Sequence, residues 1–402
     1  MSDLSDYLEA GQRIFVGGSC NEPSALLAQL EGAELPSDLH FLQFPLGVYN
    51  STDFTALSPS AQMTTFFMSP ALRKADPQRL HFLPMQMRWV YDYLARDVDV
   101  AMLQVARDRE GVLRLGPNVD FVGAVLRNAK LVLAELNHTL VAPAGCPRIN
   151  PERIDFMFES ERPLLEMPAP TIDEAADKIG ARVAELINDG DCIQTGIGAI
   201  PAAILQKLRN KNDLGMHGGL LDEGGMELIS RGNVTGAAKP LDTGLHVTGM
   251  ALGSARMLDW LAHTPEVMFR SADHTHEVAA IKQLPNFVSV NSAVEIDLFG
   301  QVNAEYAGGR QISGTGGSVD FMRAAKASPG GRSIVAMNAT ARGGSVSRIV
   351  AKVELVTALR TDVDIVVTEF GVAELKNLPV RARAEALIGI AAPQFRDALR
   401  AP

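Results

Sequence analysis

The stretch FVSVNSAVEIDLFGQVNAEYAGGRQISGTGGSVDF, from Phe287 to Phe321, joins a strand pattern to a high density of glycine. Apolar and polar residues alternate over its first third, which predicts β-structure. Two carboxylates, Glu295 and Asp297, lie inside that pattern. The glycines that follow are typical of tight turns or of backbone close to a ligand; they lie at positions 300, 308, 309, 314, 316 and 317. The stretch therefore predicts either a ligand-contacting segment or a twisted hairpin with acidic solvent-facing residues.

Length and composition are those of a globular protein with two or three domains. The chain has 402 residues, of which 47% are hydrophobic and 21% are charged. The net charge is −10 and no long Lys/Arg cluster occurs, so nucleic-acid binding has little electrostatic support. An anionic ligand would have to be held by backbone N–H groups and a few Arg or Lys side chains.

The cysteines and the apolar runs indicate the compartment. Cys20, Cys146 and Cys192 are far apart and form no CxxC pair, which argues against a disulfide framework or a zinc site. The N-terminal segment lacks the apolar core of a signal peptide. No uncharged apolar run reaches the ~18 residues of a membrane span. We therefore expect a cytoplasmic protein with no membrane partner.

An internal repeat predicts two related halves. GQRIFVGGSCNEPSALLAQL, starting at Gly11, matches GDCIQTGIGAIPAAILQKL, starting at Gly190, with Pro23 over Pro201. Each copy reads strand, glycine turn, helix. Since the copies lie about half the chain apart, the repeat predicts two α/β halves of the same topology.

Candidate strands alternate with helical patterns in both halves, which favours a mostly parallel sheet. Prolines at 151, 163, 168 and 170 suggest a domain boundary, giving domains 1–170 and 171–402. Thr171 and Glu174 form a capping-box pattern for a helix over 171–189. The glycine-rich segment 214–232 is predicted to be a flexible, backbone-exposed loop, and a helix is predicted from Val372.

Three glycine turns are predicted at strand-to-helix junctions: Gly17-Gly18, Gly196 to Gly198, and Gly371. The unpaired N–H groups of a helix N-terminus suit a phosphate or a developing oxyanion. The alternative is an ordinary connection between strand and helix. None of the three has the spacing of a P-loop or of a GxGxxG fingerprint.

The segment RSADHTHE holds the densest group of titratable side chains, which are Arg270, Asp273, His274, His276 and Glu277. One interpretation is a polar surface loop. Another is a metal site, for which HxH plus acids is a weak pattern. The third is a carboxylate nucleophile or general base positioned by an arginine. No Gly-x-Ser-x-Gly elbow occurs, so a serine hydrolase is not indicated.

Several motifs resemble the acetyl-CoA hydrolase/transferase family, in the branch that contains 4-hydroxybutyrate CoA-transferase. They are spread over nearly the whole chain; among them are FVGGSCNEPSALLAQL, GIGAIPAAIL, NSAVEIDLFGQVNAE, GTGGSVDFMRAA, ARGGSVSRIV and VVTEFGVAELK. The resemblance implies two similar open α/β domains with the active site in the cleft between them. It also implies coenzyme A as a substrate, with no metal, and a homo-oligomer, most simply a homodimer.

The resemblance implies a chemistry as well. Family members exchange CoA between carboxylic acids through an acyl-glutamyl anhydride and a glutamyl-CoA thioester. The backbone N–H of Gly371 is expected to help bind the oxyanion. The expected CoA contacts are Gly196, Gly198, Val247, Gly249, Gly316 and Gly317.

The segment that the resemblance assigns to the nucleophile departs from the family pattern. Arg270 is kept, Ser271 replaces a proline, and Asp273 stands where a glutamate is expected. Because a displacement of about 1 Å can lower a rate on the order of a hundredfold, three outcomes follow. Asp273 is the nucleophile on a shifted backbone, Glu277 serves instead, or a carboxylate activates water with His274 or His276 nearby. The corresponding functions are a CoA-transferase, first, and an acyl-CoA hydrolase, second. A CoA-binding protein with little catalysis is a third reading.

Overall fold

The structure is a computed structural model that describes residues 4–400. Its contacts divide the chain into two compact units. The first contains the residues up to Pro168 together with Thr248–His274, and the second contains Ala169–Val247 and the residues from Thr275 onward. The division at residue 170 stays a prediction, since the segment Thr248–His274 groups by its contacts with the first unit.

The first unit is built on an eight-stranded sheet. Its strands are β1 Arg13–Val16, β2 His40–Gln43, β3 Gln62–Thr65, β4 Leu80–Phe82, β5 Val100–Arg107, β6 Leu113–Leu115, β7 Leu131–Asn137 and β8 Phe156–Ser160. The order is β4-β3-β2-β1-β5-β7-β8, with parallel neighbours, while β6 pairs antiparallel with β5. β5 is buried at every position but its last, as expected of a central parallel strand covered on both faces.

The remaining strands include those of the second sheet. They are β9 Cys192–Thr195, β10 Gly215–Met216, β11 Leu220–Asp222, β12 His246–Thr248, β13 Met250–Leu252, β14 Val267–Phe269, β15 Phe287–Asn291, β16 Glu295–Asp297, β17 Val302–Asn303, β18 Tyr306–Ala307, β19 Arg310–Gln311, β20 Arg332–Ala336, β21 Thr340–Ala341, β22 Val346–Ser347, β23 Ile349–Val350, β24 Ile365–Thr368 and β25 Gly371–Glu374. The second sheet has the order β10-β9-β15-β20-β24-β25. All its neighbours are parallel except β24 and β25.

The two sheets share a strand order. In the first, five successive positions read β2-β1-β5-β7-β8, and in the second they read β10-β9-β15-β20-β24. In each case the leading strand, which is β1 or β9, lies inside the sheet. The strand that follows it in the chain pairs on one side of it, and the later strands extend the sheet on the other side. The prediction of two similar α/β domains from the internal repeat is therefore confirmed.

The described residues form twelve α-helices, of which the three longest lie in the second unit. They are α1 Ser24–Leu27, α2 Met87–Leu94, α3 Val122–Val125, α4 Glu174–Glu185, α5 Ala199–Lys207, α6 Glu223–Ser230, α7 Ala255–Ala262, α8 Ala272–Thr275, α9 Val278–Ile281, α10 Ser318–Ala327, α11 Val380–Gly389 and α12 Arg396–Arg400. In the described residues, no helix is both long and apolar enough to cross a membrane.

The cap predicted for α4 is wrong. Asp173, rather than Thr171, is the N-cap: its Oδ1 accepts a hydrogen bond from Ala176 N at 2.8 Å. Glu174 is then the first helical residue and cannot close a capping box with Thr171. The helix begins later than predicted because an aspartate oxygen is an equally good N-cap acceptor.

The segment 214–232 is not the flexible, exposed loop that its glycines predicted. Gly218 and Gly219 are buried. Asp222 Oδ1 accepts from Gly225 N at 3.0 Å and starts α6. An added Cβ at Gly225 would lie 2.5 Å from Leu221 Cδ1. The glycines here allow close packing instead of chain flexibility.

The helix predicted from Val372 is also wrong. Gly371–Glu374 is a strand, β25, paired antiparallel with β24 so that Thr368 faces Gly371. Ala373 is buried while its neighbours in the strand are not, and this alternation is a β pattern. Gly371 therefore lies at a hairpin rather than at a helix N-terminus.

The stretch 287–321 divides into a core strand and a hairpin. β15 is fully buried in the second sheet. β16 and β17 form an antiparallel pair whose turn is closed by Asp297 Oδ1, which accepts from Phe299 N at 3.0 Å and Gln301 N at 2.9 Å. Asp297 is fully buried, so the hairpin interpretation is right in geometry but wrong in placing this acid toward solvent.

Candidate functional site

The carboxyl edge of the second sheet brings together four loops. Gly196 follows β9, Ser292 follows β15, Asn338 lies two residues after β20, and Glu369 follows β24. The strand order reverses at β9, with β10 on one side and β15 on the other. In open α/β sheets, ligands bind beyond the carboxyl ends of the strands at such a switch point.

A cavity of about 180 Å³ lies at this edge. It is lined by Asp173, Ala176, Ile197, Ala199, Ile200, Pro201, Ser292, Asn338 and Arg348. Arg348 and the N-terminus of α5 offer positive charge to an anionic group, beside the Asp173 carboxylate, which already caps α4. Asn338 Oδ1 is buried and has no hydrogen-bond partner among the described residues, so a polar donor from a ligand would satisfy it.

The predicted turn Gly196 to Gly198 has free space around its two glycines. A Cβ added at Gly196 or Gly198 would meet no atom within 4 Å. Gly198, at φ +112°, is the N-cap of α5, a conformation that residues with a side chain rarely adopt. The two predicted CoA contacts therefore present their backbone beside the cavity.

Of the other predicted glycine pair, Gly316 has a left-handed backbone at φ +57°, and Gly317 packs closely against a histidine. Gly317 is the N-cap of α10, and a Cβ there would lie 2.4 Å from His276 Nε2. The His276 ring is 1% exposed, lies 4.5 Å from the Phe321 ring, and has Nδ1 2.8 Å from Thr275 Oγ1. Burial lowers the pKa of His276 to about 3. His276 is thus a neutral packing group, which disfavours it as the base of a hydrolase.

Asp273 is held by neighbouring side chains in the first unit. Ser271 Oγ donates to its Oδ1 at 2.5 Å, and Arg127 lies 3.5 Å from its Oδ2. Burial, and then a hydrogen bond with Asp273, raise the pKa of Tyr91. These contacts fix the orientation of the Asp273 carboxylate, which the sequence pattern could not indicate.

Glu277 has a capping role. Its Oε1 accepts a hydrogen bond from Ala279 N at 2.9 Å, at the N-terminus of α9. The local spacing, an acid two residues before an amide of a short helix, accounts for this contact.

The remaining predicted contacts lie in or beside strands. Val247 is buried in β12, and its carbonyl accepts from Gly218 N at 3.0 Å. Gly249 follows β12, and its carbonyl accepts from Val119 N at 2.9 Å. Gly371 opens β25, where an added Cβ would lie 3.2 Å from Ile390 Cγ2. The carbonyls of Val247 and Gly249 thus each accept one hydrogen bond from the protein itself.

The matching loop of the first unit, Gly17 to Glu22, is anchored by buried polar groups. Glu135 Oε2 accepts from Ala25 N at 2.8 Å and from Leu26 N at 3.2 Å, just after the loop. Arg162 donates to Glu135 Oε1 and to the Glu22 carbonyl, both at 2.6 Å. This ion pair is nearly inaccessible to water. The buried Glu135–Arg162 pair therefore fixes the conformation of this loop.

Some residues of the two edges were not predicted from the sequence. Arg348 and Asn338 belong to the second edge, and Asp120 lines a small cavity in the first unit. Arg348 lies inside the motif ARGGSVSRIV, and Asn338 comes two residues after a buried strand, so their positions gave some signal. Asp120 lies in the loop between β6 and α3, outside the motifs singled out above, and gave none.

Comparison with known proteins decides the family. The N-terminal domain model of acetyl-CoA hydrolase/transferase matches residues 1–151, and the C-terminal domain model matches residues 253–402. The chain belongs to the acetyl-CoA hydrolase/transferase family.

Several relatives of the chain are named CoA-transferases, and one is named an acetyl-CoA hydrolase. The 4-hydroxybutyrate coenzyme A transferase of Clostridium kluyveri is 42% identical over 306 residues, covering 75% of this chain and 71% of the relative. The succinyl-CoA:cyclohexane-1-carboxylate CoA transferase of Geobacter metallireducens is 34% identical, covering 85% and 80%. RipA from Yersinia pestis is a solved structure with a TM-score of 0.89 and 31% identity, covering 98% of this chain and 93% of that one.

Proposed function

We propose that the protein transfers CoA between an acyl-CoA and a small carboxylic acid. The observation that carries the proposal is the family match at both ends of the chain, together with relatives that are named for this reaction. The cavity beside Arg348 and the α5 N-terminus supports it, because it offers a positive surface to an anionic substrate such as CoA.

The reaction proceeds through an enzyme carboxylate. Its oxygen attacks the thioester carbonyl carbon, the C–S bond breaks, and CoA leaves as the thiolate while an acyl anhydride forms. The thiolate then attacks the enzyme's own carbonyl carbon, which releases the acyl group as a carboxylate and leaves an enzyme-CoA thioester. The acceptor acid reverses both steps.

An activity panel tests the proposal. The protein is incubated with a small acyl-CoA such as propionyl-CoA alone and then with added acetate. A new thioester that forms only with the acceptor is the expected result. Free CoA without acceptor indicates a hydrolase, and no change of either kind would contradict both enzymatic functions and favour the CoA-binding protein.

The carboxylate is identified by trapping. Acyl-CoA without acceptor should leave the enzyme-CoA thioester, which borohydride reduces to an alcohol with a characteristic mass change. The sequence prediction names the peptide with Asp273, and Glu277 is the alternative. Asp273→Ala should remove both the adduct and turnover. If Asp273→Ala keeps both, Asp273 is not the nucleophile, and loss in Glu277→Ala would assign the role to Glu277.

The CoA contacts are tested at the second edge. Arg348→Gln is expected to raise the KM for acyl-CoA about tenfold, since a charge-assisted contact is lost. Arg209→Gln is the matched control, because Arg209 is a surface residue paired with Glu227 at 2.7 Å. An unchanged KM in a folded Arg348→Gln protein would contradict this placement of CoA, and with it the predicted contacts at Gly196 and Gly198.

The compartment and assembly are part of the proposal. A cytoplasmic location is supported by Cys20, Cys146 and Cys192, which are buried free thiols of the kind kept reduced there. A homodimer is supported by exposed apolar residues of the second unit, Phe370, Val372, Leu378 and Val380. Light scattering that gives a monomer mass would contradict the dimer.

A further inference from the structure

One buried carboxyl group of the first unit takes no part in the reaction scheme above. Asp120 is 1% exposed, and its Oδ1 has no hydrogen-bond partner among the described residues. Its backbone is fixed, because its N–H donates to Asn118 Oδ1 at 3.2 Å and its carbonyl accepts from Ala272 N at 2.8 Å. An unsatisfied buried polar atom is unfavourable and calls for an explanation.

Asp120 lines a cavity of about 30 Å³. The rest of the lining is mostly apolar: Phe15, Phe44, Leu46, Phe121, Val122 and Met250, with Gly17, Gly18, Ser19 and Asn118. A cavity needs about 10–15 Å³ to hold one water molecule, so this cavity holds roughly two or three water-sized groups. That is the size of an acetyl group.

The cavity lies where the first sheet would bind a ligand. Gly17 and Gly18 directly follow β1, and the strand order reverses at β1, between β2 and β5. This is the switch-point position at which open α/β sheets hold their ligands. The cavity therefore lies at the edge of the sheet where ligands bind, which distinguishes it from a packing defect elsewhere in the core.

Ser19 adds a second polar group under backbone strain. Its φ of +61° is in the left-handed region, which is uncommon for a residue with a side chain. Asn50 holds it there by accepting from Ser19 N at 2.7 Å and donating to Ser19 O at 3.1 Å. Ser19 Oγ lies 3.7 Å from a weak acceptor, Met250 Sδ, and the Ser19 side chain also hydrogen-bonds the Cys20 thiol.

The charge state of Asp120 makes it a donor. Burial raises its pKa to about 8, so at neutral pH the carboxyl is protonated and has an O–H to donate. When ionised, Asp120 adds to the rise in the pKa of the neighbouring Cys20 thiol. Burial raises the pKa of Cys20 to about 12, and its thiol donates to Ala251 O at 3.3 Å. The cavity is thus uncharged when empty of ligand.

We propose that this cavity binds the acetyl-sized end of a small carboxylic acid, with the Asp120 O–H donating a hydrogen bond to one of its oxygens. The inference rests on the proposed function, because it names the class of acid that the enzyme takes. A free acid and the acyl part of a thioester both have a carbonyl oxygen that can accept this hydrogen bond. Acids with long chains do not fit the cavity.

Two variants test the proposal in kinetics. Asp120→Leu keeps the shape and removes the donor, and Asp120→Asn keeps an N–H donor. Asp120→Leu should raise the KM about ten- to a hundredfold, whereas Asp120→Asn should stay within about threefold. A rise for acetate assigns the cavity to the free acid, and a rise for acetyl-CoA assigns it to the acyl group. Asp99→Asn is the control, since Asp99 caps the opposite end of the sheet by accepting from Arg13 N at 3.0 Å.

The pH profile gives a readout that a merely structural role would not change. Above pH 8 the wild-type carboxyl ionises, loses its donor and repels the substrate carboxylate. The wild-type kcat/KM for acetate should therefore fall about tenfold per pH unit above 8. Asp120→Asn should not show this fall, and identical profiles for the two proteins would overturn the proposal.

Direct binding separates this inference from the proposed function. Titration of ¹³C-acetate followed by NMR should detect binding to the wild type and not to Asp120→Leu. If the wild type binds acetate through Asp120 but transfers no CoA, the function fails and the site stands. If acetate binding and turnover are unchanged in folded Asp120→Leu, the cavity holds only water and the proposal is wrong. Should Asp120→Leu not fold, the Asp120→Asn pH profile decides.

Discussion

The loop after the leading strand differs between the two sheets. In the first unit, Gly17 to Glu22 is anchored by the buried pair Glu135 and Arg162, and the cavity at its edge is small and largely apolar. In the second unit, Gly196 to Gly198 has open space beside it, and the cavity there is about 180 Å³ with Arg348 in its wall. The strand orders are nevertheless the same.

The difference shows that the position of a ligand site and its chemical selectivity have separate causes. A shared strand order places a ligand site at the same edge of both sheets, but the side chains at that edge decide what can bind. A neutral acid among apolar groups selects a small uncharged or singly charged oxygen ligand. An arginine beside a helix N-terminus selects a more strongly anionic one.

The largest expected effect is on the pH dependence of stability, and it tests whether the Asp120 carboxyl group is as buried as described. An unfolded aspartate has a pKa of about 3.9, and the folded Asp120 has one of about 8. Between these values only the unfolded chain releases the proton, so the wild-type free energy of unfolding falls as pH rises. Asp120→Asn lacks this fall. The difference between the two proteins should change by on the order of 5 kcal/mol from pH 4 to pH 8.

Urea unfolding at several pH values measures this difference. Asp99→Asn provides the control for charge removal in the same sheet. Parallel stability curves for wild type and Asp120→Asn would mean that Asp120 is hydrated and ionised in the folded protein.

The next effect tests whether the first loop depends on its anchor. Glu135→Ala should lower the free energy of unfolding by about 3–5 kcal/mol, because it leaves the Arg162 charge without its buried partner. Urea denaturation measures the loss. Glu159→Ala is the control, as Glu159 is 71% exposed in a surface contact with His138, and its effect should be under about 1 kcal/mol. Equal effects of the two changes would show that the anchor is dispensable.

A smaller effect is expected at the second edge, where one glycine is crowded and another is not. Gly317→Ala would place a Cβ 2.4 Å from His276 Nε2 and should destabilise by about 1–3 kcal/mol. Gly196→Ala meets no atom within 4 Å and should leave the thermal midpoint unchanged within a degree or two. If both alanine variants melt together, His276 is not the packing group that requires Gly317.

The smallest effect concerns Asp273. Its ion pair involves Arg127, which is 62% exposed, and surface pairs contribute about 0–1 kcal/mol. Asp273→Asn should therefore change stability by less than about 1 kcal/mol in chemical denaturation. A larger loss would mean that Asp273 has a structural role, and its effect on turnover could then not be read as chemistry.

The two-sheet fold was predictable because its signals are local and repeated. The match between Gly11–Leu30 and Gly190–Leu208 marks equivalent strands, β1 and β9, and the buried apolar runs mark the other parallel strands. Family motifs added the class of reaction. Boundaries were less accurate: Asp173 replaced Thr171 as a cap because both residues are good acceptors and only tertiary contacts choose between them.

Other features depend on residues distant in sequence. β25 pairs with β24 instead of forming a helix, a choice that local pattern does not determine. The closeness of Gly219 and Gly317 to His276 joins three separate segments. The isolation of the Asp120 carboxyl depends on Phe15, Phe44 and Met250, none of which is near it in the sequence.

The grouping of Thr248–His274 with the first unit has a consequence for synthesis on the ribosome. The first sheet is complete once Ser160 has emerged, yet Met250 closes its small cavity and Ala251 N bonds back to Pro117 O at 2.9 Å. Folding of the first unit can therefore be completed only after about ninety more residues have been synthesised, among them much of the second unit. Until then the apolar cavity stays uncovered. A fragment that ends near residue 170 would preserve that unfinished state.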